Sequence, residues 1–524
     1  MGGTSLTAKS AKNSVVALLF YAVNLLLQFI SRRIFIEYLG EDILGLNTTI
    51  SSILQFLNLA ELGIGSAIGY TLYKPLYEND RTAINEIVSL QGWLYRKIAI
   101  FIIVSSIILM LFFPMIFEKT TLPLWYSYLT FAALLFSSLL SYFLNYKQIV
   151  LSADQKEYKI QYSYKSILLI KLVLQILLIR LSDNGYVSWL ILEVVFAVVA
   201  SITLQISVRK SYPYLTGSPL RGKELLAKHP DVWVKTKQLF FHKIGGVVLA
   251  RVSPIIIYGI ATLEVVAIYG NYMLIMSGVT SLIIAIFNSM NAGVGNLVAR
   301  GDKRRIIYVF QELFSIRFLI TIVICLCAYT FTQPFMMIWM GPEFLLDNKC
   351  LILFILIMFI NLNRLTGDAF INAYGLFKDI AAPIIESILN ISLSIILGRL
   401  FGLEGVLLGV LISLFVVIFS WKQYLLFKYG FKESIVVCIL TYIRHIVPLV
   451  IAYPIISYLY GWIMPEETSS LLSLFLHLIV YAIIIVTVLT PLLLLFTSGM
   501  RFFLKRIVYM LKNVNKRYNQ DHCA

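Results

Sequence analysis

The most constraining feature of this chain is a series of long apolar runs separated by short charged segments. About 20 apolar residues in a helix cross a bilayer core about 30 Å thick. Runs such as FIIVSSIILMLFF at 101–113 show no alternation of the kind that strands of a β-barrel require. Because backbone groups in lipid must be bonded within their own segment, each run predicts a transmembrane helix. Only 13% of the 524 residues are charged, against about 25% in soluble proteins.

We count about fourteen such runs, six in a first set, six in a second set and two that close the chain. Their approximate limits are 14–35, 43–72, 90–117, 122–145, 160–181, 187–208, 239–260, 265–298, 314–339, 351–370, 381–400, 403–427, 435–460 and 471–496. The sequence therefore predicts an all-α integral membrane fold of about 14 helices. Two pseudo-symmetric six-helix bundles are expected, followed by two additional C-terminal helices.

The basic residues between the runs set the predicted orientation. If the N-terminus is cytoplasmic and successive loops alternate, most of the 43 Lys and Arg residues fall on the cytoplasmic side. The positive-inside rule requires this of a correct topology. We therefore predict a multi-pass protein with both termini in the cytoplasm. The first run follows Lys9 and Lys12 without a small-residue cleavage site, so we expect an uncleaved anchor.

This count also gives a predicted domain organisation. An N-terminal lobe at 1–208 is followed by a basic cytoplasmic connector at 209–238 and a C-terminal lobe at 239–430. Two further helices occupy 431–500, and a basic cytoplasmic tail occupies 501–524. The later part of the connector fits either a basic helix that lies on anionic headgroups or a plain tether.

An internal repeat supports two similarly oriented halves. A degraded copy of residues 39–81 follows Thr262. The matched features are Asn47 with Asn271, Gly63-Ile64-Gly65 with Gly293-Val294-Gly295, Asp80-Arg81 with Asp302-Lys303-Arg304, Pro114 with Pro334, and 152–156 with 373–378. Because six spans per half is an even number, both halves enter the membrane from the same side. A parallel repeat predicts a substrate path between the halves.

Several functional classes are disfavoured by the residues present. The net charge of +16 lies in loops between apolar spans, so we expect no nucleic-acid partner. The five histidines form no acid/base constellation and no loop is long enough for a catalytic domain, so we do not expect an enzyme. The five cysteines lack metal-ligand spacing. The paired glycines are too short for a nucleotide fingerprint and fit close helix packing, so neither a metal nor a cofactor is expected.

Four short segments resemble a known group. They are LGEDILGL at 39–46, ELGIGSA at 61–67, Tyr73-Lys74-Pro75-Leu76 and Ala153-Asp154-Gln155. These segments resemble those of bacterial Wzx-type polysaccharide flippases, which belong to the multidrug/oligosaccharidyl-lipid/polysaccharide (MOP) exporter superfamily. The resemblance covers most of the first twelve spans. The fourteen-span count is similar to that of the lipid II flippase branch.

The resemblance implies a MATE-like fold in the bacterial cytoplasmic (inner) membrane. It also implies a function in surface polysaccharide biosynthesis, namely translocation of an undecaprenyl-pyrophosphate-linked oligosaccharide by alternating access. Coupling to an ion gradient is expected, with H⁺ or Na⁺ as the ion. Membrane lipids and the lipid-linked oligosaccharide are the expected partners, and a polysaccharide polymerase is a candidate partner.

A pyrophosphate headgroup that crosses hydrocarbon needs cations, and the planar guanidinium of Arg bonds phosphate bidentately. A basic residue inside a span is costly and by default faces a cavity or a partner. The candidates for binding pyrophosphate and sugar are Arg251, Arg32, Arg33, Lys171 and Arg364. Arg32 and Arg33 could instead extend to the outer interface. Arg251 and Lys171 could instead form structural ion pairs, with Glu193 as the partner of Lys171.

Carboxyl groups inside spans are the candidates for ion coupling. In a low dielectric such a group stays protonated unless it is paired, which suits the binding of H⁺ or Na⁺. The candidates are Glu61, Glu386 and Asp368. Each could instead be bonded structurally to backbone or to an arginine. Two other functions remain open: a MATE-like drug or cation exporter of the same fold, and an integral-membrane glycan-modifying enzyme.

Overall fold

The computed structural model describes residues 2–61, 63–217, 222–288, 291–376, 381–464 and 470–521. These residues form helices joined by short turns and contain no β-strand. Ten helical stretches among them are long and apolar enough to cross a membrane. The predicted all-α, multi-pass membrane fold is therefore confirmed.

The helices are numbered in chain order. Those up to residue 260 are α1 (Gly2–Leu39), α2 (Glu41–Leu57), α3 (Ile64–Glu78), α4 (Arg81–Leu111), α5 (Phe113–Ile116), α6 (Leu124–Phe143), α7 (Ile149–Ala153), α8 (Glu157–Ile160), α9 (Ser166–Leu181), α10 (Gly185–Ser211), α11 (Gly222–Lys228), α12 (Pro230–Arg251) and α13 (Ser253–Ile260). The remaining helices are α14 (Leu263–Asn288), α15 (Asn291–Ala299), α16 (Lys303–Trp339), α17 (Asn348–Ala373), α18 (Ala381–Leu414), α19 (Lys422–Leu425), α20 (Ile435–Ile463), α21 (Leu471–Phe496) and α22 (Ser498–Asp521).

Ten long stretches correspond to fourteen predicted runs because three runs are interrupted and two merge. A 3₁₀ turn at Asn58–Glu61 divides the second run into α2 and α3. A π-helical turn at Gln161–Lys165 shortens the fifth run to α9, and the seventh run is divided at Val252. The eleventh and twelfth runs form one helical stretch, Ala381–Phe431, with a kink at Gly402.

The chain divides into two compact units. The first comprises Met1–Tyr272 with Ser394–Val406, and the second comprises Met273–Leu393 with Leu407–Ala524. In the first unit, α9 packs against α1 and α10, while α3 packs against α4 and α12. The connector is held to α4, because Lys228 and His229 both contact the carboxylate of Glu86, at 2.6 and 3.3 Å.

Two glycines allow helices of the first unit to approach closely. Gly63 has a φ of +93°, and a Cβ there would lie 2.6 Å from the carbonyl oxygen of Thr236. A Cβ at Gly45 would lie 2.0 Å from the carbonyl oxygen of Leu263. The predicted close packing is therefore confirmed at Gly63. At Gly293 and Gly295 a Cβ would meet no described atom within 4 Å, so close packing at these two glycines stays a prediction.

The second unit is built around α16, which has 37 residues. This helix packs against α17, α21 and α22, and α20 packs along α21. Phe310, Phe314 and Phe318 of α16 lie in one hydrophobic core with residues of α20 and α21. The last two predicted spans thus share a core with α16. The predicted domain boundaries near residues 208, 238, 430 and 500 stay predictions.

Matched positions of the sequence repeat have the same local structure. Asn79 and Gly301 have φ angles of 56° and 76°, and each is followed by an aspartate. Asp80 and Asp302 cap α4 and α16, because each carboxylate accepts a backbone N–H three residues later, at 3.0 and 3.1 Å. An aspartate at this position satisfies one of the unpaired N–H groups at the helix start. Of the matched segment 373–378, residues 377 and 378 lie outside the described part.

Candidate functional site

Arg32 is held against α14 within the first unit. Its side chain is half-buried, and Nη1 donates a hydrogen bond of 2.6 Å to Oδ1 of Asn271. A Cβ at Gly270 would lie 2.9 Å from the same Nη1, so the guanidinium rests on a residue without a side chain. Asn271 is fully buried, and its Nδ2 has no hydrogen-bond partner among the described residues. Arg32 is therefore hydrogen-bonded to a neutral amide, and this contact does not neutralise its positive charge.

Arg251 lies beside the same turn of α14. It is the last residue of α12, its side chain is exposed, and it lies near Tyr269. Tyr269 in turn is hydrogen-bonded to Ser253 at the start of α13. The segment from Tyr269 to Asn271 is thus flanked by two of the predicted cations. Arg33, by contrast, is exposed and follows Arg32 by one residue on α1, about 100° around the helix.

Lys171 is engaged in an ion pair. Its Nζ lies 2.8 and 2.7 Å from the two carboxylate oxygens of Glu193, and Gln175 donates to Glu193 at 3.2 Å. The side chains of Lys171 and Glu193 are only 15% and 12% exposed. This geometry matches the structural alternative for Lys171, because the lysine charge is neutralised by its partner.

We expect Lys171→Met to destabilise the protein by about 3 kcal/mol, because it leaves the Glu193 carboxylate nearly buried without its counter-ion. The double variant Lys171→Met/Glu193→Met should recover most of that loss, since two apolar side chains replace the whole pair. Thermal unfolding in detergent measures both. A single variant as stable as the wild type would show that the pair contributes nothing.

The second unit brings three predicted residues together. Nε of Arg364 lies 3.6 Å from Oδ2 of Asp368, one turn away on α17. Glu386 of α18 is 3% exposed and interacts electrostatically with both of them and with Lys422. Its Oε1 has no hydrogen-bond partner among the described residues. The cluster therefore holds two acids and two cations, and Lys422 is a member that the sequence did not single out.

Glu61 lies at the 3₁₀ turn that interrupts the second run. Its Oε1 accepts a hydrogen bond of 2.5 Å from the hydroxyl of Tyr95. Beside it, the hydroxyl of Tyr142 donates to Asn58 at 3.1 Å, and the rings of Tyr95 and Tyr142 pack edge to face. The partner of Glu61 is thus the phenol of Tyr95. The structural partner expected from the sequence is a backbone group or an arginine.

Arg317 is a buried cation that the sequence analysis missed. Its side chain is 1% exposed, Nη2 donates to the carbonyl oxygen of Phe287 at 3.1 Å, and the guanidinium lies 4.8 Å from the Phe287 ring centre. Nε and Nη1 have no hydrogen-bond partner among the described residues. The sequence did contain evidence that Arg317 lies deep in a helix. The capping residue Asp302 starts α16 about 21 Å before Arg317. The predicted span began only three residues before Arg317 and so placed this arginine at a helix end.

No protein-family model matches the chain, and no curated protein sequence matches it. Solved structures do match. The structure described as lipid II flippase MurJ in an inward closed conformation has a TM-score of 0.62 and 16% identity, and the match covers 92% of this chain and 99% of that one. The chain has the fold of MOP superfamily transporters. A multidrug resistance MATE family transporter of this superfamily in an inward-facing conformation gives a TM-score of 0.59 and 13% identity, covering 78% and 97%.

Another MOP superfamily structure, a MATE family transporter in an outward-facing conformation, gives a TM-score of 0.53 at 14% identity and covers 79% of this chain and 94% of that one. The MOP transporter fold thus matches the predicted fold class. These likenesses concern the fold. The candidate residues come from the contacts described above. Within the described residues, no group of three or more His, Cys, Asp or Glu side chains is placed to hold a metal ion.

Proposed function

We propose that the protein is a flippase that moves an undecaprenyl-pyrophosphate-linked oligosaccharide across the bacterial cytoplasmic membrane, by alternating access, for surface polysaccharide biosynthesis. The observation that carries this proposal is the pair of arginines, Arg32 and Arg251, beside one turn of α14. Neither is ion-paired to an acid among the described residues. Cations without an acidic partner in a membrane protein suit an anionic headgroup and disfavour a cationic drug.

The structural neighbours support the same choice. The lipid II flippase structure overlaps 92% of this chain, whereas the two MATE family structures overlap 78% and 79%. The longer overlap favours the flippase branch over the drug-exporter branch. A polysaccharide polymerase that uses the translocated unit is the partner we propose for the outer face.

Each candidate residue receives a role from its surroundings. One N–H of the Arg32 guanidinium donates to Asn271. The guanidinium has five N–H donors, so the others can bond phosphate oxygens. We also assign Arg251 and Arg317 to the anionic headgroup. The assignment of Arg251 rests on its position near Tyr269 in the first unit, and that of Arg317 rests on its burial without an acidic partner in the described part of the second unit. Lys171 is not assigned, because Glu193 neutralises it. Arg33 is not assigned, because no interaction with α14 is seen for it among the described residues, and it serves as a comparison.

We assign coupling to H⁺ or Na⁺ to Glu386. This carboxyl group is buried, and one of its oxygens has no hydrogen-bond partner in the described part of the chain. Asp368 is paired with Arg364, and Glu61 is bonded by Tyr95, so both are more constrained. A buried carboxyl group with a vacant acceptor can take up a proton or a small cation at modest structural cost.

A transport assay on the purified protein tests the proposal. Proteoliposomes would contain fluorescently labelled undecaprenyl-pyrophosphate-linked oligosaccharide, and a membrane-impermeant reductant would report label that reaches the outer face. We expect label to cross at least about tenfold faster than in protein-free liposomes. The matched comparison is uptake of a cationic dye by the same vesicles. Dye transport without lipid flipping would reject the flippase and favour the cation exporter, which similarity to MATE transporters otherwise supports.

A further inference from the structure

The second unit contains a basic cleft apart from the residues assigned to transport. The cleft has a volume of about 1070 Å³ and lies among α15, the first turns of α16, and α22. Four arginines line it: Arg300, Arg304, Arg305 and Arg506. Two acids, Asp302 and Glu312, also line it. An excess of positive charge in a concave surface attracts an anionic ligand.

Both acids of the cleft are engaged. Asp302 caps the N-terminus of α16, and its carboxylate accepts the backbone N–H of Arg305. Glu312 is 2% exposed and accepts a hydrogen bond of 3.1 Å from Arg506, which ties α22 to α16. Arg300, Arg304 and Arg305 are exposed and form no ion pair with a described acid. Their charges are therefore available to a ligand.

The helix that closes the cleft also presents an apolar edge, on the side away from the Arg506 and Tyr509 that line the cleft. Leu504, Ile507 and Val508 of α22 are exposed, and their spacing places them on one side of the helix. Arg501 and Lys505 of the same helix are exposed as well. Phe502 stacks on Tyr308 of α16 at 3.9 Å, which fixes α22 in place. Exposed apolar residues beside basic ones are typical of a helix that lies at a membrane interface.

We propose that this cleft binds the headgroup phosphate of an anionic phospholipid. The arginines supply charge-assisted hydrogen bonds to the phosphodiester oxygens. The interfacial character of α22, with its apolar edge beside the exposed Arg501 and Lys505, is what favours a lipid over a soluble phosphate compound. The proposal does not depend on which substrate the transporter carries. It does agree with the predicted topology, which places this end of α16 at the cytoplasmic leaflet, where anionic lipids attract Lys and Arg.

The test measures lipid binding to the full-length protein in neutral detergent by native mass spectrometry. Phosphatidylglycerol is the anionic probe, phosphatidylcholine is the neutral one, and inorganic phosphate is the soluble competitor. We expect phosphatidylglycerol to bind Arg304→Gln/Arg305→Gln about 30-fold more weakly than the wild type. The matched control is Arg209→Gln/Lys210→Gln, which removes two adjacent exposed charges at the end of α10 and should change affinity less than about twofold.

A variant that keeps both charges distinguishes loss of lipid binding from loss of folding. Arg304→Lys/Arg305→Lys should recover most of the affinity, because the charges remain although the planar forks are lost. Equal binding of phosphatidylglycerol and phosphatidylcholine would overturn the proposal. An unchanged affinity in the glutamine variant would also overturn it. Displacement of phosphatidylglycerol by an equal concentration of inorganic phosphate would assign the cleft to free phosphate and reject the lipid.

Discussion

Arg32→Gln is expected to reduce flipping of the labelled lipid-linked oligosaccharide by about 10- to 100-fold, while the protein still inserts and stays folded. The amide of glutamine can still donate to Asn271, so the neutral part of the contact is retained. The positive charge that we assign to the pyrophosphate is lost. Flipping rates in proteoliposomes at equal protein content measure the effect.

The neighbouring arginine provides the control. Arg33→Gln removes the same charge one residue further along α1, on an exposed part of the helix, and should leave the rate within about twofold. Arg32→Lys should give an intermediate rate, because ammonium keeps the charge without the bidentate geometry. A wild-type rate in Arg32→Gln would remove Arg32 from the site. Equal losses in Arg32→Gln and Arg33→Gln would point to a general effect of charge at this end of the helix.

The helices themselves were predictable, because hydropathy over about 20 residues decides whether a segment lies in lipid. The matched aspartates were predictable as repeat marks, and the structure gives them one physical role as helix caps. The breaks were harder. At Val252 the sequence does carry a signal, since Ser253-Pro254 begins α13. At 58–61 the only residue in the sequence that indicates a turn is Gly63. Its positive φ accompanies the close approach of Thr236, which is 173 residues away in the chain.

The candidate site was predictable only in its residue types. An arginine inside an apolar run is recognisable, but the partner of Arg32 lies 239 residues away. Lys171 and Glu193 were an easier case, because successive spans that run in opposite directions bring nearby residues to one level. The surroundings of Glu386 depend on Lys422, which lies 36 residues further along the chain, inside the run at 403–427. Contacts between distant helices depend on packing, which a single sequence does not encode in a readable pattern.

Arg317→Met is expected to separate stability from transport. The buried guanidinium donates one hydrogen bond to a carbonyl, whereas Nε and Nη1 have no partner among the described residues. A buried charge without a counter-ion costs free energy, and an apolar side chain of similar length removes that cost. We expect a melting temperature that is unchanged or raised, together with at least a tenfold fall in flipping rate.

Arg399→Met serves as the matched control, because Arg399 is an exposed arginine near the kink in α18 and should leave the flipping rate unchanged. Thermal unfolding and flipping must be measured on the same preparations. A melting temperature lowered by several degrees with flipping retained would mean that Arg317 is structural, held by Phe287 for packing alone. Stability retained with flipping lost would mean that the chain tolerates an unfavourable buried cation because transport needs it.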